Sequence, residues 1–179
     1  MAISFNGISI GSGVGLTIIP PPPFPPGLYS WGRNTNGQLG QGDTINRSIP
    51  VQIGTLTNWL QTSSGQYHIM AVKTDGTMWS WGKNDNGALG IGDTTNRSSP
   101  VQVGALTTWS SISAGSNLSL AIKTDGTMWT WGYNGSYGSL GLGNTTNYSS
   151  PKQIGALTNW AKVTSGNGHN IAVKTDGTM

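Results

Sequence analysis

The sequence predicts an all-β protein made of β-propeller blades, each with about four short antiparallel strands. Three observations support this fold class. The tetrapeptide Lys-Thr-Asp-Gly recurs at Lys73, Lys123 and Lys174, so the chain repeats with a period of 50 and then 51 residues. The chain has 28 Gly among 179 residues and no Glu, which favours turns over long helices. Its eight Trp recur at fixed places in the repeat, as packed apolar anchors would.

The repeat itself accounts for the strands. In the second copy, strands are predicted over Ile69–Lys73, Met78–Trp81, Val101–Val103 and Trp109–Ser113. Between the first two, Asp75-Gly76 predicts a two-residue hairpin turn, because Gly accepts the positive φ that such a turn needs. The Gly-rich segment from Leu89 to Asp93 predicts a loop. A period of this length indicates one unit copied along the chain, with a core that forms only where neighbouring copies stack.

Composition divides the chain into three predicted regions. Residues 1–19 alternate β-branched and small side chains, which predicts short strands over 8–10 and 14–18 and a docking role. Residues 20–27 carry six Pro and predict a polyproline II spacer, and the propeller repeats fill residues 28–179. The alternative for the first two regions is a disordered tail and linker. The predicted docking side chains are Ile3, Phe5, Ile8, Ile10, Val14, Leu16 and Ile18.

Charge and composition exclude several classes of function. Nine basic residues against six Asp give a net charge of +3, which is too weak and too scattered for nucleic-acid binding. The chain has no Cys, which excludes disulfides, thiol catalysis and thiolate metal sites. Its longest apolar runs fall far short of the ~18–20 residues that span a bilayer, so no membrane insertion is predicted. The N-terminus also lacks the basic region of a standard secretory signal.

The two histidines are equivalent by repeat position. They are His68 and His169, and the second copy has Leu118 at that position. A catalytic or ligand role would hardly tolerate Leu in one of three equivalent sites. The sequence therefore predicts a structural role for both histidines.

Asp43, Asp93 and Asn144 follow Gly-x-Gly in the three copies. One side-chain carboxylate per repeat is too few for Ca²⁺, which takes six to eight oxygen ligands. An Asx-type turn suits Asp and Asn equally well and is the predicted role. No second acid lies at glycosidase spacing, and no Gly-x-Gly run is followed by the Lys of a phosphate loop. The sequence therefore predicts no enzyme, no cofactor and no metal site.

A few loop positions differ between the copies, and a rigid propeller would present them to a ligand. The third copy replaces two cations with Tyr, and exposed Tyr makes good contacts with sugars and proteins. The alternative is neutral variation on solvated loops. The predicted display surface consists of Arg33, Lys83, Tyr133, Tyr137, Arg47, Arg97 and Tyr148.

The repeat carries a family resemblance over residues 29–179. It reads Trp-Gly-x-Asn-x-x-Gly-x-Leu-Gly-x-Gly-Asp/Asn-Thr, then Ser-x-Pro-x-x-x-Gly, then Gly-x-x-His ahead of Lys-Thr-Asp-Gly. This pattern resembles the regulator of chromosome condensation repeat. The resemblance implies a β-propeller, usually of seven blades. It does not imply nucleotide exchange or chromatin binding, because a fold by itself assigns no function.

The chain departs from that family in its number of repeats. Three repeats are flanked by two half units: Tyr29-Ser-Trp31 opens within a blade, and Met179 precedes the expected Trp-x-Trp. Three blades alone would leave open edges and an unfilled centre. We therefore expect either that the chain continues, which we favour, or that several chains close a ring.

Together these features predict a non-enzymatic structural and interaction protein of a tailed bacteriophage virion, either fibre-like or a capsid-decoration subunit. Residues 1–27 loosely resemble the attachment ends of such proteins and would bind other virion proteins. The propeller head would bind a host-surface glycan or protein, and homo-oligomers would add avidity. One alternative is a bacterial cell-surface or secreted adhesin. Another is an intracellular regulatory propeller, such as a guanine-nucleotide exchange factor, which would need an acidic, non-repeating loop.

Overall fold

The computed structural model describes residues 3–5, 8–10, 16–18, 24–135 and 137–177 of the chain. Every regular element in these ranges is a β-strand, and the strands form five sheets with antiparallel neighbours. In this described part of the chain, no helix has the length and hydrophobicity to cross a bilayer. The prediction of an all-β fold is confirmed.

The strands follow one another along the chain as β1 (Ile3–Phe5), β2 (Ile8–Ile10), β3 (Leu16–Ile18), β4 (Tyr29–Gly32), β5 (Arg47–Gln52), β6 (Trp59–Ser64), β7 (His68–Lys73), β8 (Met78–Gly82), β9 (Arg97–Gln102), β10 (Trp109–Ala114), β11 (Leu118–Lys123), β12 (Met128–Gly132), β13 (Tyr148–Gln153), β14 (Trp160–Ser165) and β15 (Asn170–Lys174). β1, β2 and β3 form a small sheet of their own. β6 to β9 and β10 to β13 form two complete four-stranded blades. β4 with β5, and β14 with β15, form two half blades.

The prediction of about four strands per blade is confirmed, and the repeats map onto the sheets with an offset. The predicted three repeats with flanking half units are arranged as two complete blades and two half blades. The reason is that each repeat begins in the middle of one sheet and ends in the middle of the next. The half blade at the start supplies the equivalents of β8 and β9, and the half blade at the end supplies the equivalents of β6 and β7.

The outermost strand of each blade begins earlier than the sequence predicts. The prediction places it at Val101–Val103, but β9 starts at Arg97 and includes Pro100. Proline lacks a backbone N–H and therefore cannot donate to a central ladder, which argues against a strand when the sequence is read alone. β9 is the last strand of its sheet, so one of its sides needs no ladder partner and the proline is tolerated there.

The hairpin between β7 and β8 is also longer than predicted. The Gly76 N–H donates to the Lys73 carbonyl at 2.9 Å, and the Lys73 N–H donates to the Thr77 carbonyl at 2.9 Å. This pair of bonds defines a three-residue loop in which the third residue occupies the left-handed region. Gly76 has a φ of 77° there. The prediction of a two-residue turn is therefore wrong, although the Gly is needed for the reason given.

The core lies between the sheets, at junctions that are built around one tryptophan each. Trp81 and Trp131 are 1% and 0% exposed. The indole N–H of Trp81 donates to the Gln38 carbonyl of the preceding half blade at 3.0 Å. The indole of Trp131 donates to the Ala88 carbonyl at 2.8 Å. Each junction therefore satisfies the one polar atom of a large apolar side chain.

Glycine allows these indoles to approach the neighbouring loop. A methyl group added to Gly90 would lie 2.6 Å from the Trp131 indole nitrogen, and one added to Gly40 would lie 2.8 Å from that of Trp81. Both glycines also have positive φ angles, 71° and 69°. The Gly-rich loops are thus part of the packing between blades.

The N-terminal region agrees with the predicted strands as far as it is described. β2 coincides with the predicted strand over 8–10, and β3 covers the end of the one over 14–18. β1 adds a third strand that pairs with β2. Val14 and residues 20–23 lie outside the described residues. The docking role of residues 1–19 and the polyproline spacer therefore stay predictions.

Candidate functional site

The predicted display residues lie where the strands of each blade meet the long loops, at one end of the strands, and we call this end of the blades the loop edge. It is defined by strand register: His68 pairs with Gly82, and Gly82 pairs with Arg97. The start of β7, the end of β8 and the start of β9 therefore lie together, and the Asp-Gly hairpin lies at the opposite edge. Display residues on this edge directly follow β4, β8 and β12 (Arg33, Lys83, Tyr133) or open β5, β9 and β13 (Arg47, Arg97, Tyr148).

A buried asparagine fixes each loop at this edge. Asn34 is completely buried, and its side-chain N–H groups donate to the carbonyls of Asp43 and Ile45 at 3.0 and 3.1 Å. Its side-chain oxygen accepts the Leu39 N–H at 2.8 Å. Asn84 and Asn134 repeat two of these contacts: each donates to the carbonyl of Asp93 or Asn144 and accepts the N–H of Leu89 or Leu140. Sequence reasoning assigned no role to this Asn, although its place in every Trp-Gly-x-Asn motif was the available signal.

The predicted Asx-type turns are present in all three loops. The side-chain oxygens of Asp43, Asp93 and Asn144 each accept the backbone N–H two residues later, at 3.0, 2.9 and 2.9 Å. The Ile45 N–H bonded to Asp43, followed by the Arg47 guanidinium, holds the pKa of that carboxyl below its usual value. Backbone bonding by Thr95 is the largest cause of the same lowering of the pKa of Asp93.

Two of the predicted display cations are held by these loop carboxylates. Arg47 Nη2 lies 2.6 Å from Asp43 Oδ2, and Arg97 Nη2 lies 2.6 Å from Asp93 Oδ2. Each guanidinium also donates to a carbonyl two residues earlier, at 2.8 and 2.9 Å. Arg47 and Arg97 therefore stabilise their own loops, and a ligand that recruited them would have to break an existing ion pair.

The other two cations share one tyrosine ring. The Arg33 guanidinium lies 5.8 Å from the centroid of the Tyr67 ring, and the Lys83 ammonium lies 5.2 Å from it. Lys83 also pairs with Asp85 at 3.2 Å. Because Arg33 follows β4 and Lys83 follows β8, the cluster spans two neighbouring blades. Sequence reasoning missed Tyr67 in the β6–β7 loop, although its variation between copies was an available signal: the equivalent residues are Asn117 and Gly168.

In the third copy the loop edge is aromatic. Tyr137 is 90% exposed and Tyr133 is 43% exposed. Tyr148 replaces the loop arginine, and its hydroxyl accepts a bond from Asn144 at 3.3 Å. The loop edge therefore changes from cationic to aromatic along the array, as the substitutions between copies predict.

The histidine position behaves differently in the two copies that have it. His68 is 1% exposed, and its Nε2 lies 2.8 Å from the Ser119 hydroxyl of the next blade. Burial lowers the pKa of His68 to about 4, so the ring is neutral at pH 7. His169, in the final half blade, is exposed. The structural role predicted for His68 agrees with this environment, because the ring joins two blades.

No group of three or more His, Asp or Glu side chains that could hold a metal ion occurs among the described residues. The Asp75 carboxylate, for example, accepts the Thr77 N–H and hydroxyl at 2.9 and 2.6 Å and serves the hairpin. The loop edge thus brings together aromatic rings, cations and hydroxyl groups at one end of the sheets.

Comparison with known proteins agrees with this architecture. Residues 27–72, 75–122 and 125–173 each match the family model described as "Regulator of chromosome condensation (RCC1) repeat". Residues 59–88 and 109–138 match a second model with the same description.

Solved structures share the fold at low sequence identity. Human WBSCR16 is 20% identical with a TM-score of 0.73, over 84% of this chain and 41% of that one. Prp20p from Saccharomyces cerevisiae, in a structure whose title names its binding to Gsp1p and histones, is 24% identical with a TM-score of 0.72, over 80% and 38%. Yeast RCC1 (Prp20) with bound Kap60 is 22% identical with a TM-score of 0.72, over 83% and 38%. This chain thus spans about two-fifths of each matched structure.

Proposed function

Since the chain belongs to the regulator of chromosome condensation repeat family, we propose that it is a protein-interaction propeller that binds a protein partner through its loop edge. The observation that supports this most directly is the Tyr67 ring with Arg33 and Lys83 within 6 Å of it, on two adjacent blades. Aromatic rings and arginine are the residues most enriched where proteins bind one another.

The third copy extends the same surface with apolar contact area. Tyr133 and Tyr137 are exposed on loops whose backbone is fixed by Asn134. A tyrosine buries a large area and loses little conformational freedom when it does so. The proposed partner therefore has an acidic region facing Tyr67 and an apolar or aromatic region facing Tyr137.

A regulatory propeller is the functional class that the family favours. One solved relative, Prp20, is described in two structures together with other proteins, namely Gsp1p, histones and Kap60. We propose binding of the same general kind here, without catalysis by this chain. The relatives are less than 25% identical to this chain, so they do not identify its partner. The partner has to be found by experiment.

Photo-crosslinking in the natural host tests this proposal. A photoreactive phenylalanine analogue at Tyr137 is expected to capture a protein, and the combined substitution of Arg33, Tyr67 and Lys83 by Ala is expected to abolish the capture. The matched control places the analogue at Leu106, which is 46% exposed in the segment between β9 and β10, at the opposite edge. Equal capture from both edges, or capture that survives the triple substitution, contradicts the proposal.

The second candidate function is that of a virion protein whose N-terminal region attaches it to the particle. One observation favours it: β1, β2 and β3 pair with one another and with no strand of the blades among the described residues. A chain from which residues 1–19 are deleted should keep the unfolding midpoint of the head and lose its attachment to particles. A deleted chain that precipitates would place this segment in the core of the head. Self-association of the chain is part of both candidates.

A further inference from the structure

A groove lies between the first half blade and the first complete blade, close to the Asp-Gly hairpin. Its volume is about 390 Å³, which is within the range of small-ligand sites in proteins. Its walls are mainly apolar, and a lysine is the one cationic residue in them. We call it the lysine groove, and its main lining residues are Ile53, Leu56, Trp59, Lys73, Trp79 and Pro100.

This groove belongs to a junction between blades and not to an end of the blade array. The second junction, which lies between the two complete blades, has Leu106, Trp109, Lys123 and Trp129 at the equivalent positions. There the Lys123 ammonium lies 3.7 Å from the ring centroid of Trp129 and 5.2 Å from that of Trp109. The combination of one lysine with two indoles is therefore a property of the repeat.

The ammonium of Lys73 has donors to spare. The residue is 7% exposed, and its charge lies 3.8 and 4.9 Å from the ring centroids of Trp79 and Trp59. Within the described part of the chain, this ammonium has no carboxylate within 4 Å and no hydrogen-bond acceptor. Asp75, two residues further on, accepts bonds from Thr77 instead. An ammonium has three N–H donors, and leaving them unbonded in a buried place is costly.

The first junction differs from the second at one wall position. Gln41 is held by its own half blade, because its side-chain N–H groups donate to the Ser30 hydroxyl and the Val51 carbonyl, both at 3.1 Å. Its equivalent in the second copy, Ile91, packs against the apolar cluster that includes Trp109. An aliphatic side chain thus occupies the second junction where the first has a tethered amide at the wall of the groove. We therefore expect a ligand at the first junction only.

We propose that the lysine groove binds a small organic acid, whose carboxylate pairs with the Lys73 ammonium and whose apolar body packs against Ile53, Leu56 and Pro100. A carboxylate accepts charge-assisted hydrogen bonds from an ammonium, and a site with little water strengthens them. The apolar walls favour such a molecule over a strongly hydrated inorganic anion. The groove lies away from the loop edge, and the proposal does not depend on partner binding there.

Titration of the 179-residue chain with hexanoate tests the site by nuclear magnetic resonance of the indole N–H groups. The resonances of Trp59 and Trp79 should shift and saturate, while those of Trp109 and Trp129 should stay in place. Hexanamide has the same apolar chain and no charge, and it should bind at least about tenfold more weakly, because hydrogen bonds between charged groups are lost. Equal binding of the acid and the amide would overturn the proposal, and so would equal shifts at both junctions.

Two lysine variants separate loss of the site from loss of stability. Lys73→Met removes the charge in the groove and should weaken hexanoate binding by about tenfold or more. Lys123→Met is the matched control, because it loses the same two kinds of cation–π contact at the second junction and should keep the wild-type affinity. Unfolding midpoints of both variants show that each is folded during the titration. If both variants keep the affinity, or both lose it equally, the site is not at Lys73.

A charge placed at the rim tests the site with the lysine intact. Leu56 is 47% exposed, so Leu56→Asp and Leu56→Asn should both fold normally. The Asp variant should bind hexanoate about threefold more weakly than the Asn variant at low salt, because two negative charges repel each other, and added salt should reduce the difference. Equal affinities of the two variants at low salt would show that no carboxylate binds beside this rim and would overturn the proposal.

Discussion

The Lys73 ammonium lies 3.8 Å from the ring centroid of Trp79 and 4.9 Å from that of Trp59, and the lysine is only 7% exposed. Lys123 repeats the arrangement with Trp129 and Trp109, at 3.7 and 5.2 Å. Two indole faces thus stabilise a cation that would otherwise be costly to bury.

Replacing Lys73 with Met should therefore destabilise the protein by about 1–2 kcal/mol, because the aliphatic stem stays and the cation–π contacts are lost. Chemical denaturation followed by tryptophan fluorescence measures this. The control is Lys174→Met, since Lys174 has one indole at 5.8 Å and its cost should be smaller. Equal costs at both sites would mean that the second ring contributes nothing.

The stability of the protein should fall as the pH drops from about 6.5 towards 4, because of His68. Burial lowers its pKa in the folded state to about 4 from the usual value of 6.5, so the unfolded chain binds the proton first in this range. Stability is therefore complete above pH 6.5, and a shift of this size corresponds to a loss of about 3 kcal/mol by pH 4.

His68→Leu reproduces the residue that the second copy has at this position and should flatten that pH dependence. Denaturation midpoints measured at several pH values give the slope. His169→Leu is the control, because His169 is exposed and has no equivalent burial. A slope that persists in the His68 variant would assign the effect to other groups.

Gly90→Ala should cost about 1–3 kcal/mol more than Gly104→Ala, because the added methyl group would meet the Trp131 indole in one case and empty space in the other. Both residues have positive φ angles, 71° and 61°, so the backbone strain is shared and cancels in the comparison. Denaturation of the two variants under the same conditions measures the difference. Similar costs would show that the indole adapts freely.

Asp93→Asn should be tolerated much better than Asp93→Ala. The third copy already has Asn144 there, and an amide oxygen can still accept the Thr95 N–H that closes the turn. The lost ion pair with Arg97 is partly exposed and should matter less as salt rises. Thermal melts at low and high salt separate the two contributions, and an Asn variant as unstable as the Ala variant would contradict this order.

The sequence was sufficient for the features that depend on local chemistry. The period, the four strands per blade, the Gly-rich loops and the Asx turns at Asp43 and Asp93 all follow from residue types and spacing. The start of β9 did not, because tolerance of Pro100 depends on its place at the edge of a sheet. The burial of Lys73 and Asn34 did not either, since a polar residue becomes a core residue only through partners supplied by distant segments.

The loop positions of the predicted display residues follow from the sequence, but their internal pairing does not, and their display role stays a prediction. The display residues of all three copies lie at one edge, as their shared place in the repeat implies. Sequence alone could not show that Arg47 and Arg97 are bound to their own loops, while Arg33 and Lys83 approach Tyr67. That difference is set by side-chain geometry within each loop.

The buried asparagines have a practical consequence for engineering. Asn34, Asn84 and Asn134 fix the loop backbone from inside. The residue just before each of them is Arg33, Lys83 or Tyr133, so the same loop geometry already accommodates three unrelated side chains. These positions can therefore be randomised together with little loss of folding, and the repeat would serve as a cysteine-free library scaffold for selecting new binders.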